Sequence, residues 1–150
     1  MELKIIPVVQ VLIAALLMFL ITKLMPMFNY LSNFSYRIVT LLLFFAALIG
    51  ILAIYCFRIN KTTVDPRLPE KASTVVDSGI YRYSRNPMYL ALLLVLLSIA
   101  FSLQNIMTFL IIPLFIFYIT RYQIIAEERM LITLFGEDYK LYCRKVRRWL

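Results

Sequence analysis

The stretch NPMYLALLLVLLSIAFSLQNIMTFLIIPLFIFYIT, from Asn86 to Thr120, carries no charged residue across 35 positions. As one helix rising 1.5 Å per residue it would be roughly 52 Å long, against ~30 Å for the hydrocarbon core of a bilayer. It must therefore turn back on itself. Ser102, Leu103, Gln104 and Asn105 supply polar turn residues near its midpoint, which predicts a helical hairpin of two short spans. Pro113 predicts a kink in the second of them, tolerated in a membrane where neighbours satisfy the carbonyl it frees.

Two further apolar runs precede the hairpin, from Ile5 to Thr22 and from Ile38 to Phe57, the latter interrupted only by Gly50. The first is closed by Lys23 and Pro26 with no small-x-small site after it, so a retained anchor is expected rather than a cleaved signal peptide. With 63% hydrophobic and 16% charged residues the composition lies outside the soluble range of about 45–50% and about 25%. The fold class expected is an all-α integral membrane protein of about four transmembrane helices, with spans three and four as the hairpin. The 150 residues form one membrane domain, 1–60 holding the two amino-terminal spans, and neither linkers nor internal repeats are evident.

Sorting the basic residues by side tests this topology, because cytoplasmic loops carry the excess of Lys and Arg. Lys4, six residues between spans two and three, and seven after span four place fourteen on one side, leaving Lys23 and Arg37 on the other. The expectation is a multi-pass protein of the cell membrane with both termini cytoplasmic. The net charge of +8 then reflects orientation and contact with membrane lipids rather than nucleic acid, for which no soluble domain remains. Histidine is absent, removing the commonest neutral-pH base and metal ligand, and Cys56 and Cys143 have no C-x-x-C spacing, so no metal is expected.

Apart from Glu2, all acidic residues follow the second span: Asp65, Glu70, Asp77, Glu127, Glu128, Glu137 and Asp138. The connector from Ile59 to Arg85, with Pro66 and Pro69, ends in Gly79-Ile-Tyr81-Arg82-Tyr83-Ser-Arg85-Asn86-Pro87-Met-Tyr89, where Asn86 reads as the N-cap before a proline at the first helical position. On spacing alone an interfacial aromatic belt with snorkelling arginines is the favoured account of this run, and an anion site at a helix amino terminus is the alternative. In the tail, helical spacing puts Arg121, Ile125, Glu128 and Ile132 on one face. Adjacent Glu127 and Glu128 point about 100° apart, which predicts different roles unless they form a solvated pair. Gly136 predicts a helix stop. Beyond it Tyr139, Tyr142, Val146 and Trp149 alternate with Lys140, Arg144, Lys145, Arg147 and Arg148, the pattern of an interfacial amphipathic helix.

Arg85-Asn86-Pro87-Met88-Tyr89, an apolar hairpin, then Glu127-Glu128 resembles the signature Arg-His-Pro-x-Tyr…Glu-Glu of the isoprenylcysteine carboxyl methyltransferase and phospholipid methyltransferase family. Gly79, Tyr81 and Arg82 before the motif agree with it, as do Leu131, Phe135, Gly136, Tyr139, Tyr142 and the Arg147-Arg148-Trp149 ending. The resemblance covers Asp77 to Leu150 and implies a cofactor-binding core over 77–150. One position departs: the family's histidine is Asn86 here, which keeps a donor and an acceptor but cannot take a proton.

The resemblance implies methyl transfer from S-adenosylmethionine to a lipophilic small molecule or lipidated substrate bearing a carboxylate, amine or thiol. That cofactor offers a zwitterion, an adenosine and a sulfonium, and so calls for carboxylate, cationic donors and aromatic faces in one pocket. Tyr81, Arg85, Asn86, Pro87, Tyr89, Glu127, Glu128 and Tyr139 are expected to bind it, with Glu128, Arg147 and Arg148 as catalytic candidates and the amino-terminal spans shaping an acceptor tunnel. Two other classes stay open: a membrane reductase with a nicotinamide cofactor, since some sterol reductases share a related core, and a non-catalytic membrane scaffold.

Overall fold

A computed structural model describes residues 6–31, 35–60 and 74–150. Glu2, Lys4, Ile5 and the connector residues Lys61, Asp65, Pro66, Arg67, Pro69, Glu70 and Lys71 lie outside them. The described chain is helical, with α1 (Pro7–Leu24), α2 (Ser35–Ile59), α3 (Pro87–Leu103), α4 (Ile111–Ile119) and α5 (Ile125–Lys145). A 3-10 stretch, Ile106–Leu110, leads into α4, and a π-helical turn, Thr120–Ile124, joins α4 to α5. Among the described residues, three helical stretches are long and apolar enough to cross a membrane: Pro7–Leu24, Ser35–Ile59 and the continuous Ile106–Lys145. The fourth apolar helix, α3, has 17 residues.

Helix α3 is the centre of the bundle, packed by α1, α2 and α4. Along α1 the buried residues Pro7, Gln10, Val11, Ala14 and Met18 recur every three or four positions, one face of a helix, while Leu12 and Leu16 point outward at 62% and 58% exposure. Helix α2 meets α3 through small residues. Ala46 and Ala53 are buried, and a Cβ at Gly50 would already touch the Cβ of Ala91 at 3.8 Å. Such a seam lets two backbones approach where lipid provides no hydrophobic drive between helices. Outward-facing Phe44, Ile51 and Tyr55 leave the rest of α2 apolar and exposed.

The hairpin turns where the sequence places it. Gln104 adopts a left-handed conformation, φ 50°, and ends α3. Fully buried Asn105 then fastens the turn: its side chain accepts from the Met107 N–H at 2.9 Å and donates to the Met25 carbonyl at 2.9 Å and Asn29 Oδ1 at 2.7 Å. The Tyr30 N–H reaches the Gln104 carbonyl at 2.8 Å beside a one-residue bridge between Asn29 and Asn105. The α1–α2 loop and the α3–α4 turn thus share one end of the bundle, while the end of α2 and the start of α3 share the other.

Pro113 falls in the first turn of α4, where its missing N–H leaves little unpaired, and the irregular backbone lies in the 3-10 stretch before it and the π turn after it. The N–H of Ile111 serves the carbonyls of Thr108 and Phe109, the latter being the one that Pro113 cannot reach. A second departure concerns Arg121, expected on one face with Glu128. The π turn intervenes and rotates one against the other, so Arg121 is exposed and Glu128 buried. Gly136 does interrupt the helix, at φ 54° and ψ −123° inside α5. Beyond it Tyr139, Tyr142 and Val146 are buried against Val75, Leu131 and Phe135, so that this amphipathic segment turns its apolar side to protein, with Lys140, Arg144 and Lys145 outward.

Candidate active site

The mouth of α3 is set by a 3-10 turn, Gly79–Arg82, against the end of α2. Gly79 has φ 58° and a Cβ there would lie 2.6 Å from Cys56 Sγ, so both conformation and space require glycine. The turn seats the Tyr81 ring edge-on to Phe57 at 5.3 Å, and burial holds its hydroxyl well above the ordinary tyrosine range. Tyr142 donates to the Tyr81 carbonyl at 2.8 Å, and the Tyr139 ring lies 5.9 Å from that of Tyr142, so the segment after Gly136 closes over the turn. Tyr83, by contrast, is exposed.

Next to it lies a cluster of charges. Glu128, buried on α5, receives Arg148 through two hydrogen bonds, Nε to Oε1 at 3.1 Å and Nη2 to Oε2 at 2.7 Å, and Arg85 Nη1 stands 3.2 Å from Oε1. Arg85 also donates to Cys143 Sγ, and its Nε is buried without a hydrogen-bond partner among the described residues. Backbone joins the same elements: the Arg85 N–H donates to the Arg147 carbonyl at 3.0 Å, and Asn86 Nδ2 to the Arg148 carbonyl at 3.0 Å. Hydrogen bonding to Glu128 raises the pKa of Arg148 above the usual arginine value. Asn86 occupies the N-cap position of α3, yet its side chain makes no capping bond; Ser84 Oγ accepts the Asn86 N–H instead at 3.1 Å.

Glu127 lives in different surroundings. Tyr89, buried on α3, donates its hydroxyl to Glu127 Oε1, and Gln123 Nε2 donates to the same oxygen at 2.9 Å. Two neutral donors thus meet this carboxylate, whereas two guanidiniums meet its neighbour. Their angular spacing thus gives the two neighbouring glutamates different partners.

Of the residues singled out in the sequence, Arg85, Asn86, Glu128 and Arg148 meet in one cluster, with Tyr89 and Glu127 beside it and Tyr81 and Tyr139 in the adjoining aromatic layer. Pro87 begins α3 and is buried. Arg147 is exposed and joins through its carbonyl alone among the bonds described. Sequence reasoning missed Gln123, Ser84 and Cys143. Gln123 carried a signal, four positions before Glu127 and so on the same helical face. A shallow apolar recess of about 450 Å³ lined by Arg37, Thr40, Leu41 and Phe44 lies at the opposite end of α2.

The profile of the phospholipid methyltransferase family matches residues 34–138, well over half of the chain and inclusive of both the Arg85–Tyr89 motif and the glutamate pair. The chain belongs to that family. As a phospholipid methyltransferase family protein it is a membrane methyltransferase, which bears out the resemblance read from the motif, and the matched region ends just before Tyr139. An uncharacterized protein of Haemophilus influenzae is 46% identical over 63 residues, 42% of this chain and all of that protein. No solved structure matches the chain.

Proposed function

We propose that this family member transfers a methyl group from S-adenosylmethionine to a lipophilic acceptor, at a site on the cytoplasmic side of a four-span bundle whose termini both face the cytoplasm. The observation that carries the reading is the meeting of the α3 mouth with α5 and the residues after it: Arg85, Asn86 and Tyr89 against Glu127, Glu128 and Arg148. The donor set fits the cofactor. Carboxylates suit an ammonium or ribose hydroxyls, guanidiniums suit a carboxylate, and tyrosines suit an adenine face or a sulfonium. The buried Arg85 Nε, without a partner among the described residues, is a donor of the kind an anionic ligand group would satisfy.

The bound cofactor would supply an electrophilic methyl group on a sulfonium. Within this assignment Glu127 and Glu128 hold cationic or hydroxyl groups, Arg85 and Asn86 hold the carboxylate end, and Tyr81, Tyr89 and Tyr139 line the pocket. Arg148, or Arg147 from the surface, orients an anionic acceptor. A carboxylate acceptor is already ionised and needs no base; an amine or thiol sheds a proton to Glu127, Glu128 or water, since Asn86 takes none. Rate then comes from aligning acceptor, methyl and sulfur in a water-poor site, with the acceptor arriving through lipid between helices.

The test is a pair of titrations of the purified chain in detergent. S-adenosylhomocysteine is expected to bind saturably, and Tyr89→Phe and Glu127→Gln to weaken it about tenfold or more. Saturable binding of NADPH alone would overturn the proposal in favour of a reductase, and binding of neither would favour a scaffold. Labelled cofactor incubated with a total membrane extract would then identify the acceptor through its labelled product.

A further inference from the structure

The π turn carries a residue that the family motif does not include. Phe115, Ile119, Ile124 and Glu128 are all buried, at spacings of four, five and four. In an uninterrupted α-helix, at about 100° per residue, Glu127 and Glu128 would lie about 80° and about 180° around from buried Ile119. The wider turn Thr120–Ile124 absorbs one extra residue, about 100°, which brings Glu127 to the face of Ile119 and Glu128 to within about 80° of it. It also buries two consecutive residues, Gln123 and Ile124, at 1% and 0% exposure. An amide so deeply placed is costly unless its donors are used. Gln123 spends one on Glu127 Oε1 at 2.9 Å, the oxygen that Tyr89 also engages.

We propose that Gln123 is a positioning residue for cofactor binding: with Tyr89 it clamps one oxygen of Glu127 and so aims the other, Oε2, at the ligand. This rests on the S-adenosylmethionine reading of the site. Two donors from separate helices, converging on one oxygen, fix both the direction and the plane of the carboxylate, which a single bond leaves free to rotate. Both are neutral and bring no opposing charge to Glu127, unlike the guanidiniums of Arg85 and Arg148 at Glu128. Gln123 acts through Glu127 and need not touch the ligand.

Calorimetric titration of S-adenosylhomocysteine into the full chain in detergent tests this, with Gln123→Met, Gln123→Asn, Glu127→Gln and the Gln123→Met/Glu127→Gln pair. Met keeps the bulk and removes the donor, and Asn keeps the amide and shortens its reach. Each is expected to lower affinity about tenfold in the wild-type background, and Gln123→Met to change it less than about twofold in the Glu127→Gln background. Wild-type affinity in either folded Gln123 variant, or an equal loss in both backgrounds, would overturn the positioning role while leaving the cofactor assignment intact. Should Gln123→Met fail to fold by circular dichroism, the Asn variant decides alone. Failure of the wild-type chain to bind S-adenosylhomocysteine would instead remove the cofactor reading itself.

Discussion

Glu128 sits between two guanidiniums that differ in their access to water, the Arg85 side chain being 12% exposed and that of Arg148 35%. Glu128→Ala would leave Arg85 buried and unpaired, a loss of about 3–5 kcal/mol for a broken buried pair. Arg148→Ala removes the more exposed partner and leaves Glu128 its bond to Arg85, so it is expected to cost about 1 kcal/mol. Unfolding in mixed detergent micelles should rank the two in that order, and a reversed order would contradict the cluster described. At this scale much could be read in advance: the motif, the glutamates and their divergence all follow from residue type and helical spacing. Which partner each would find could not, because Tyr89 lies 38 positions from Glu127 and Arg85 lies 58 from Cys143. Local preference was also misleading at Asn86, a good capping residue whose amide is drawn instead to the Arg148 carbonyl.

Among the elements, the segment from α4 to α5 shows best where pattern succeeds and where it does not. The break at Gly136 was legible because glycine is the residue that tolerates positive φ. Its φ 54° and ψ −123° suit no side chain, although a Cβ would find nothing within 4 Å. Gly136→Ala should therefore cost backbone strain alone, about 1–3 kcal/mol, seen as a lower unfolding midpoint that no compensating cavity mutation nearby can restore. The π turn left no such mark, since no residue type demands it; before it α4 packs on α3, and after it Glu127 meets Tyr89 of α3. That is why Arg121 and Glu128, matched by a uniform 3.6-residue period, separate in the fold. Pro113 likewise read as a kink because the 3-10 stretch before it, which moves the proline into a first turn, has no sequence signal of its own.

For the molecule as a whole, the charge-free run made the hairpin readable, because bilayer thickness limits how long a helix can run before turning. The proposed four-crossing arrangement expects opposite accessibility for two exposed positions, Leu31 at the α1–α2 loop and Tyr83 before α3. In a Cys56→Ala/Cys143→Ala background, Tyr83→Cys should react with an impermeant maleimide from the cytoplasmic side and Leu31→Cys from the other. Labelling of both from one side would contradict the crossing number. The packing of α2 on α3 through Ala46, Gly50 and Ala53 was less legible, since small residues within an apolar run look like any other lipid-facing material. The fastening of the tail has its own consequence. Arg85 and Asn86 grip the main-chain oxygens of Arg147 and Arg148, atoms that every amino acid possesses. For this fastening alone, position 147 can change its spelling while the count of residues between Gly136 and those oxygens stays fixed, so any demand for arginine there must come from the acceptor, and kinship judged by letters alone would overlook a contact that only a ruler detects.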